Sequence, residues 1–173
     1  MDTVTISDED RRLLGSWAAE RAERVLPLFE AKAPADTRPR EAVEGIRAFT
    51  REGRRTAQLR SVAVAALAAA REVGDPVATA AARAAGYAAA SPYIHPIATP
   101  HQAKHALAPA MYAALARELA AGGDPGVGDE ELRRAIEQVP RAVADIVRQM
   151  PVFVPGRGRL DAFRDRLETA LRG

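Results

Sequence analysis

The chain has 173 residues, is 47% hydrophobic and 28% charged, and carries a formal charge of +2 from 25 Lys and Arg against 23 Asp and Glu. That balance excludes the disordered, collagen-like and fibrous classes and predicts one domain over residues 1–173, since a single core stays efficient at this size. With no cysteine, disulfides, thiolate nucleophiles, thiolate zinc sites and iron–sulfur clusters are also excluded. Alanine supplies 39 residues and is the strongest helix former, so the composition predicts an all-α protein. The charge excess is narrow, aromatics make up 5%, and the arginines are interleaved with acids. Nucleic acid is therefore not an expected partner, because its binders concentrate charge on one face and add stacking aromatics. The start, MDTVTISDEDRR, is acidic and lacks an apolar signal region. The alanine-rich run Ser61–Ala70 is flanked by arginines and falls short of the ~20 residues that cross a bilayer. A cytoplasmic protein without a membrane span is expected.

Ser7 with Asp10 three positions on forms a capping box, with Asp in place of the usual Glu or Gln. Leu14, Ala18, Ala22, Val25 and Phe29 then recur at helical spacing, which predicts a first helix over about 7–32. Pro34 ends it, and Pro39 opens a second helix carrying Ala42, Ile46, Phe49 and Gly53. Leu59, Val62, Ala66, Ala70 and Val73 mark a third. Gly74-Asp75-Pro76 stops that helix and starts another, whose face of Val77, Ala81, Ala84 and Ala88 lets a neighbour approach closely. Methyl faces contribute little burial, at about 0.8 kcal/mol per CH₂, so Trp17, Phe29, Phe49, Leu107 and Leu115 are expected to fill the core.

Ser91–Pro100 is the least helical stretch before the glycine-rich segment. Thr99 then caps a helix, Pro100 takes its first position, and Gln102 completes a Thr-x-x-Gln box. That helix is expected to reach Ala121, followed by a flexible loop over 122–128. Leu132, Ile136, Val139, Val143, Ile146 and Met150 predict one further helix, and Leu160, Phe163, Leu167 and Leu171 the last. The total is about seven helices in an irregular bundle. Pro27, Pro109 and Pro140 fall inside predicted helices, where each removes an amide and frees the carbonyl four residues earlier, so kinks are expected.

All three histidines lie within eleven residues, and His101 and His105, four apart, share a face with the stripe of Ile97, Ala108, Tyr112, Leu115 and Leu119. They are expected to look inward or along a groove. Three chemistries suit the cluster. His95, His101 and His105 could chelate a borderline metal, although no Glu of a His-Glu-x-x-His motif accompanies them. His95 and His105 could perform acid–base chemistry with Tyr93 or Tyr112 as hydrogen-bond partners. Or the histidines tie the proline-rich loop to its helix cap. The leading expectation is the third, with no metal, no cofactor and no committed catalytic residue. Candidate contact residues are Tyr93, His95, His101, Gln102 and His105 at this corner, with Arg38 and Arg40 from an arginine-rich segment that could hold an anionic partner. In that segment Arg and Glu at three- and four-residue spacing otherwise read as a solvated, self-paired helix face. The Pro155-Gly156-Arg157-Gly158-Arg159 turn lacks the Lys-Ser/Thr ending and preceding strand of a phosphate loop.

The strings Ala22-Glu23-Arg24-Val25-Leu26-Pro27-Leu28-Phe29-Glu30, Asp36-Thr37-Arg38-Pro39-Arg40, His95-Pro96-Ile97-Ala98, Gln102-Ala103-Lys104-His105 and Gly122-Gly123-Asp124-Pro125 resemble a family of actinobacterial immunity proteins over nearly the whole chain. The resemblance implies an all-helical protein of a polymorphic toxin system that protects its producer by binding a protein toxin. His95 and His105 match the family pattern better than His101, which weakens a three-histidine metal site. The alternative is a small-molecule-binding protein or metabolic enzyme with a pocket around Tyr93, His95, His105 and Tyr112.

Overall fold

A computed structural model describes residues 2–173. It is all-α, as composition and periodicity predict. Among the described residues nine α-helices run in the order α1 (Asp8–Glu23), α2 (Leu26–Lys32), α3 (Arg38–Glu52), α4 (Ala57–Glu72), α5 (Pro76–Ala90), α6 (Pro100–Ala120), α7 (Pro125–Glu137), α8 (Arg141–Arg148) and α9 (Arg159–Arg172). A single 3-10 turn, Ser91–Tyr93, follows α5. Among the described residues there is no strand, only an isolated bridge between Thr3 and Ile97 that ties the N-terminal segment to the loop before α6.

Two of the three predicted proline kinks are breaks, which accounts for the extra helices. Pro27 occupies the first turn of α2, after α1 has ended, because its ring fits only where no amide is required. Pro140 is the N-cap of α8, and the Ile136 carbonyl accepts from the Val139 amide at 3.4 Å. Only Pro109 lies inside a continuing helix, α6. The expected flexible loop over 122–128 is also shorter. Gly122 and Gly123 turn the chain with φ of 71° and 85°, and Asp124 then caps α7 by accepting from the Gly126 amide at 2.9 Å. The Ser7 capping box is complete in both directions, at 3.0 and 2.9 Å.

The interior divides into two apolar clusters sharing α1 and α6. In the first, α2, α3, α4 and α5 pack around a surface made mostly of methyl groups, with Phe29, Ile46, Phe49 and Leu59 as its larger members. The second joins Leu14 and Trp17 of α1 to Leu107 and Met111 of α6, and to Leu132, Ile146, Phe163 and Leu167 of the last three helices. Leu115, expected as a core residue, is only partly buried between the two. Helix α6 has apolar residues on both sides, Ala108, Tyr112 and Ala116 toward the first cluster and Ala106, Leu107 and Ala110 toward the second. A helix hydrophobic all round belongs in the middle of a fold.

Arginines brace this interior. Trp17 donates its indole N–H to the Ala135 carbonyl at 3.1 Å, and the buried Arg21 beside it donates to the Gln138 amide oxygen. Burial holds the Arg21 guanidinium below its ordinary pKa, while neighbouring Glu20 and Glu131 favour the charge. At the other end, Arg164 bridges Glu168 at 2.7 Å and the Pro100 carbonyl at 2.6 Å, which fixes α9 to the start of α6.

Where α6, α7 and α9 meet, Gly128 leaves no room for a side chain. A Cβ there would stand 2.8 Å from Glu118 Oε1, 3.0 Å from Glu118 Cβ and 3.0 Å from Phe163 Cζ. Alanine is favoured over glycine in a helix by about 1 kcal/mol, but overpacking a buried contact costs about 1–3 kcal/mol. Gly128→Ala is therefore expected to lower stability by about 1–2 kcal/mol, measured by urea unfolding, despite its gain in helix propensity.

Candidate functional site

The histidine corner is built from the loop between the 3-10 turn and α6. Thr99 caps α6 as predicted, its hydroxyl accepting from the Gln102 amide at 3.3 Å. The reciprocal half of the expected box is diverted: the Gln102 side-chain oxygen accepts from the His95 amide at 2.8 Å, and the Thr99 amide bonds the Ile97 carbonyl instead. Gln102 thus closes the loop over the helix start. Beneath the loop, the buried Arg11 of α1 donates to the carbonyls of Pro92 and Ile94 at 2.8 and 2.7 Å. Residues 2–4 hold its outer edge through the Val4 amide to Pro96 and the Ala98 amide to Asp2, at 3.0 and 2.9 Å.

Tyr93, Ile94, His95, His101, Gln102 and His105 line a depression of about 260 Å³, closed at one side by Ala90. His95 and His101 face solvent and His105 is half-buried, so the inward orientation expected of the pair applies only to His105. The Nε2 atoms of His101 and His105 are 2.8 Å apart, with rings nearly perpendicular at 85°. One ring must donate and the other accept, so at least one of these nitrogens is unprotonated. His105 also leans on Tyr87 of α5, 5.7 Å between ring centres, and Tyr87 stacks on Tyr112 at 5.5 Å. Arg83 lies over Tyr112 in turn, and burial pushes the Tyr112 hydroxyl above its usual pKa.

The structure therefore separates the two tyrosines considered as histidine partners. Tyr112 reaches His105 only through Tyr87, and the Tyr93 hydroxyl donates to the Thr56 carbonyl while Arg60 covers its ring at 4.6 Å. Arg38 and Arg40 do not line this depression. Arg38 pairs with Asp36 and Glu72, each at 2.7 Å, and Arg40 pairs with Glu30. Among the described residues, no three His, Asp or Glu side chains gather as a metal-binding group. Sequence reasoning overlooked Tyr87 and Arg11. Tyr87 sits in an alanine tract with no local cue to the face that meets α6. Arg11, eleven residues from the start, is 6% exposed, a depth its charge argues against.

Chemically the corner offers an imidazole pair, a phenol stack and no carboxylate among its lining residues. Burial holds the His105 pKa below its ordinary value, and His101 and Lys104 push it further in the same direction. The sign of the stability effect follows. An unfolded His takes up its proton near pH 6.5, and folded His105 resists doing so until a lower pH. In that window the unfolded state binds more protons, so His105 makes stability fall as pH drops below about 6.5. Unfolding measured at pH 7.5 and at pH 5 should show a larger loss for the native chain than for His105→Gln. An NMR titration should place the His105 midpoint below that of an exposed histidine.

No helix among the described residues is long and apolar enough to cross a membrane. No curated protein and no solved structure matches the chain. A family model, described as "Imm-5 like putative immunity protein", matches residues 4–142, from the segment that clamps the histidine loop to the start of α8. That span is well over half of the sequence, and it includes every residue of the corner: the chain belongs to the Imm-5-like immunity protein family.

Proposed function

We propose that this protein is a non-enzymatic immunity protein, one helical domain acting in the cytoplasm, that binds a protein toxin and neutralises it by occlusion. Family membership over residues 4–142 is the observation that carries the reading. The bonding at the histidine corner supports it. Gln102 closes the His95 backbone, Tyr93 is tied to Thr56, and Arg11 holds two loop carbonyls, so these polar groups hold the fold together. An acid–base catalyst gains from a third group that orients its imidazole, and no carboxylate lines the depression beside the histidines. The competing enzymatic reading draws on half-buried His105, whose neutral form is favoured at pH 7.

The test is protection in cells. The toxin is identified by capture on the purified protein from its own host and is then expressed alone, with the native chain, or with a His95→Ala/His105→Ala variant. Rescue by the native chain and by the variant, with a stable 1:1 complex, is the expected result. Rescue lost in the variant while its circular dichroism, melting temperature and 1:1 complex with the toxin are unchanged would favour the enzymatic reading.

A further inference from the structure

Helix α3 is rich in both signs of charge, and its spacing suggests that Arg and Glu neutralise each other along the helix. The folded protein does otherwise. Three of its four arginines pair outside the helix: Arg38 with Asp36 and Glu72, Arg40 with Glu30 of α2, and Arg47 with Glu23 of α1 at 2.6 Å. Glu41, Glu44 and Glu52 of the same helix form no ion pair with any described residue. The long-range pairs thus take up Arg38, Arg40 and Arg47, and Glu44 stands at the border between the arginine side of α3 and the side that carries Glu41 and Glu52.

The three carboxylates stand along an open trough of about 420 Å³ between α3 and α4. Glu41, Glu44, Gly45, Ala48 and Glu52 are one stripe of α3, and Gln58, Ser61, Val62 and Ala65 one stripe of α4. The helices touch at Gly45, where a Cβ would lie 3.0 Å from Val62 Cγ2 and 3.3 Å from Leu59 Cδ1. Above that contact the walls are small, Ala48, Ser61 and Ala65, so a furrow stays open with an apolar floor. One arginine, Arg54, meets three glutamates in the lining. From Glu41 to Glu52 the α3 stripe spans about 16 Å, the length of three helical turns.

We infer that the α3–α4 trough is the surface that binds the partner protein, and that it takes a cationic amphipathic helix. The apolar side of such a helix lies on Ala48, Val62 and Ala65, and its Lys or Arg side chains reach Glu41, Glu44 and Glu52. The free carboxylates steer the encounter and fix the orientation of the bound helix, while the apolar floor provides most of the burial. The inference rests on the immunity reading and adds where the toxin binds and with what chemistry.

An 18-residue helical peptide with Leu and Ala on one face and Lys on the other is the probe, and the same peptide with Glu for Lys is its control. Titrated into ¹⁵N-labelled protein, the Lys peptide should shift amide resonances of α3 and α4, and the Glu peptide should not. The exposed triple variant Glu41→Gln/Glu44→Gln/Glu52→Gln, with native circular dichroism, should bind the Lys peptide at least tenfold more weakly. Ala48→Trp, which fills the furrow without changing charge, should also weaken it. Shifts confined to another face, no shifts at all, or an unchanged affinity in the triple variant would overturn the inference. In the cell assay, full rescue by the triple variant would place the toxin elsewhere and leave the immunity reading standing. No toxin rescued by the native chain would end the immunity reading itself.

Discussion

The close approach of methyl-lined helices constrains everything else in this fold. Helix α5 buries Ala78, Ala80, Ala81, Ala82, Ala84, Ala85, Ala88 and Ala89, so it is held by neighbours on several sides through side chains one carbon long. At Gly86 even that carbon is excluded, since a Cβ would lie 2.7 Å from Leu67 and 3.3 Å from the Ala63 carbonyl. Backbones packed this tightly gain dispersion contacts, but each alanine removes little apolar area from water. Larger side chains are therefore concentrated where α1 and α6 meet the last three helices, around Trp17, Leu107, Met111 and Phe163.

A core with little apolar area per residue leaves more to polar braces, and here these are nearly all arginines. Arg11, Arg21 and Arg164 are buried and each donates to a group on a different element. Arg24 reaches Glu131, and Arg159 reaches Glu118 and Asp129, linking parts of the chain far apart in sequence. The planar guanidinium suits this use because it makes several directed bonds from one side chain. The same habit pairs Arg38, Arg40 and Arg47 with carboxylates outside their own helix. The negative trough on α3 is thus a by-product of how the first cluster is fastened.

Much of the helical layout is legible in the sequence because capping and periodicity are local. Ser7, Asp75 and Thr99 each cap a helix through the side-chain geometry their neighbours imply, whereas Asp124, expected inside a flexible loop, caps one as well. Pro27 and Pro140 are less readable, since a proline after a helical run marks a kink or a break according to whether the chain then turns toward another element. Tertiary contacts also redirect local ones. Gln102 is in register for a capping box, yet its oxygen is taken by the His95 amide once the loop folds back. The site is legible to a lesser degree. The spacing of His101 and His105 puts both on one helix face, but Tyr87, which supports one of them, becomes a neighbour only when α5 packs on α6. Likewise, nothing local reveals that three arginines of α3 pair outside it, because their partners lie on α1, α2, α4 and the turn before α3.

The histidine corner and the acidic trough thus have different characters. At the corner most polar groups are engaged in bonds that close a loop, and at the trough three carboxylates and an apolar floor are left without partners. Hydrogen–deuterium exchange on the complex with the neutralised toxin separates the two most directly. Added protection concentrated on α3 and α4, with residues 91–105 unchanged, is the predicted result. Protection confined to residues 91–105, with α3 and α4 exchanging as in the free protein, would contradict the account.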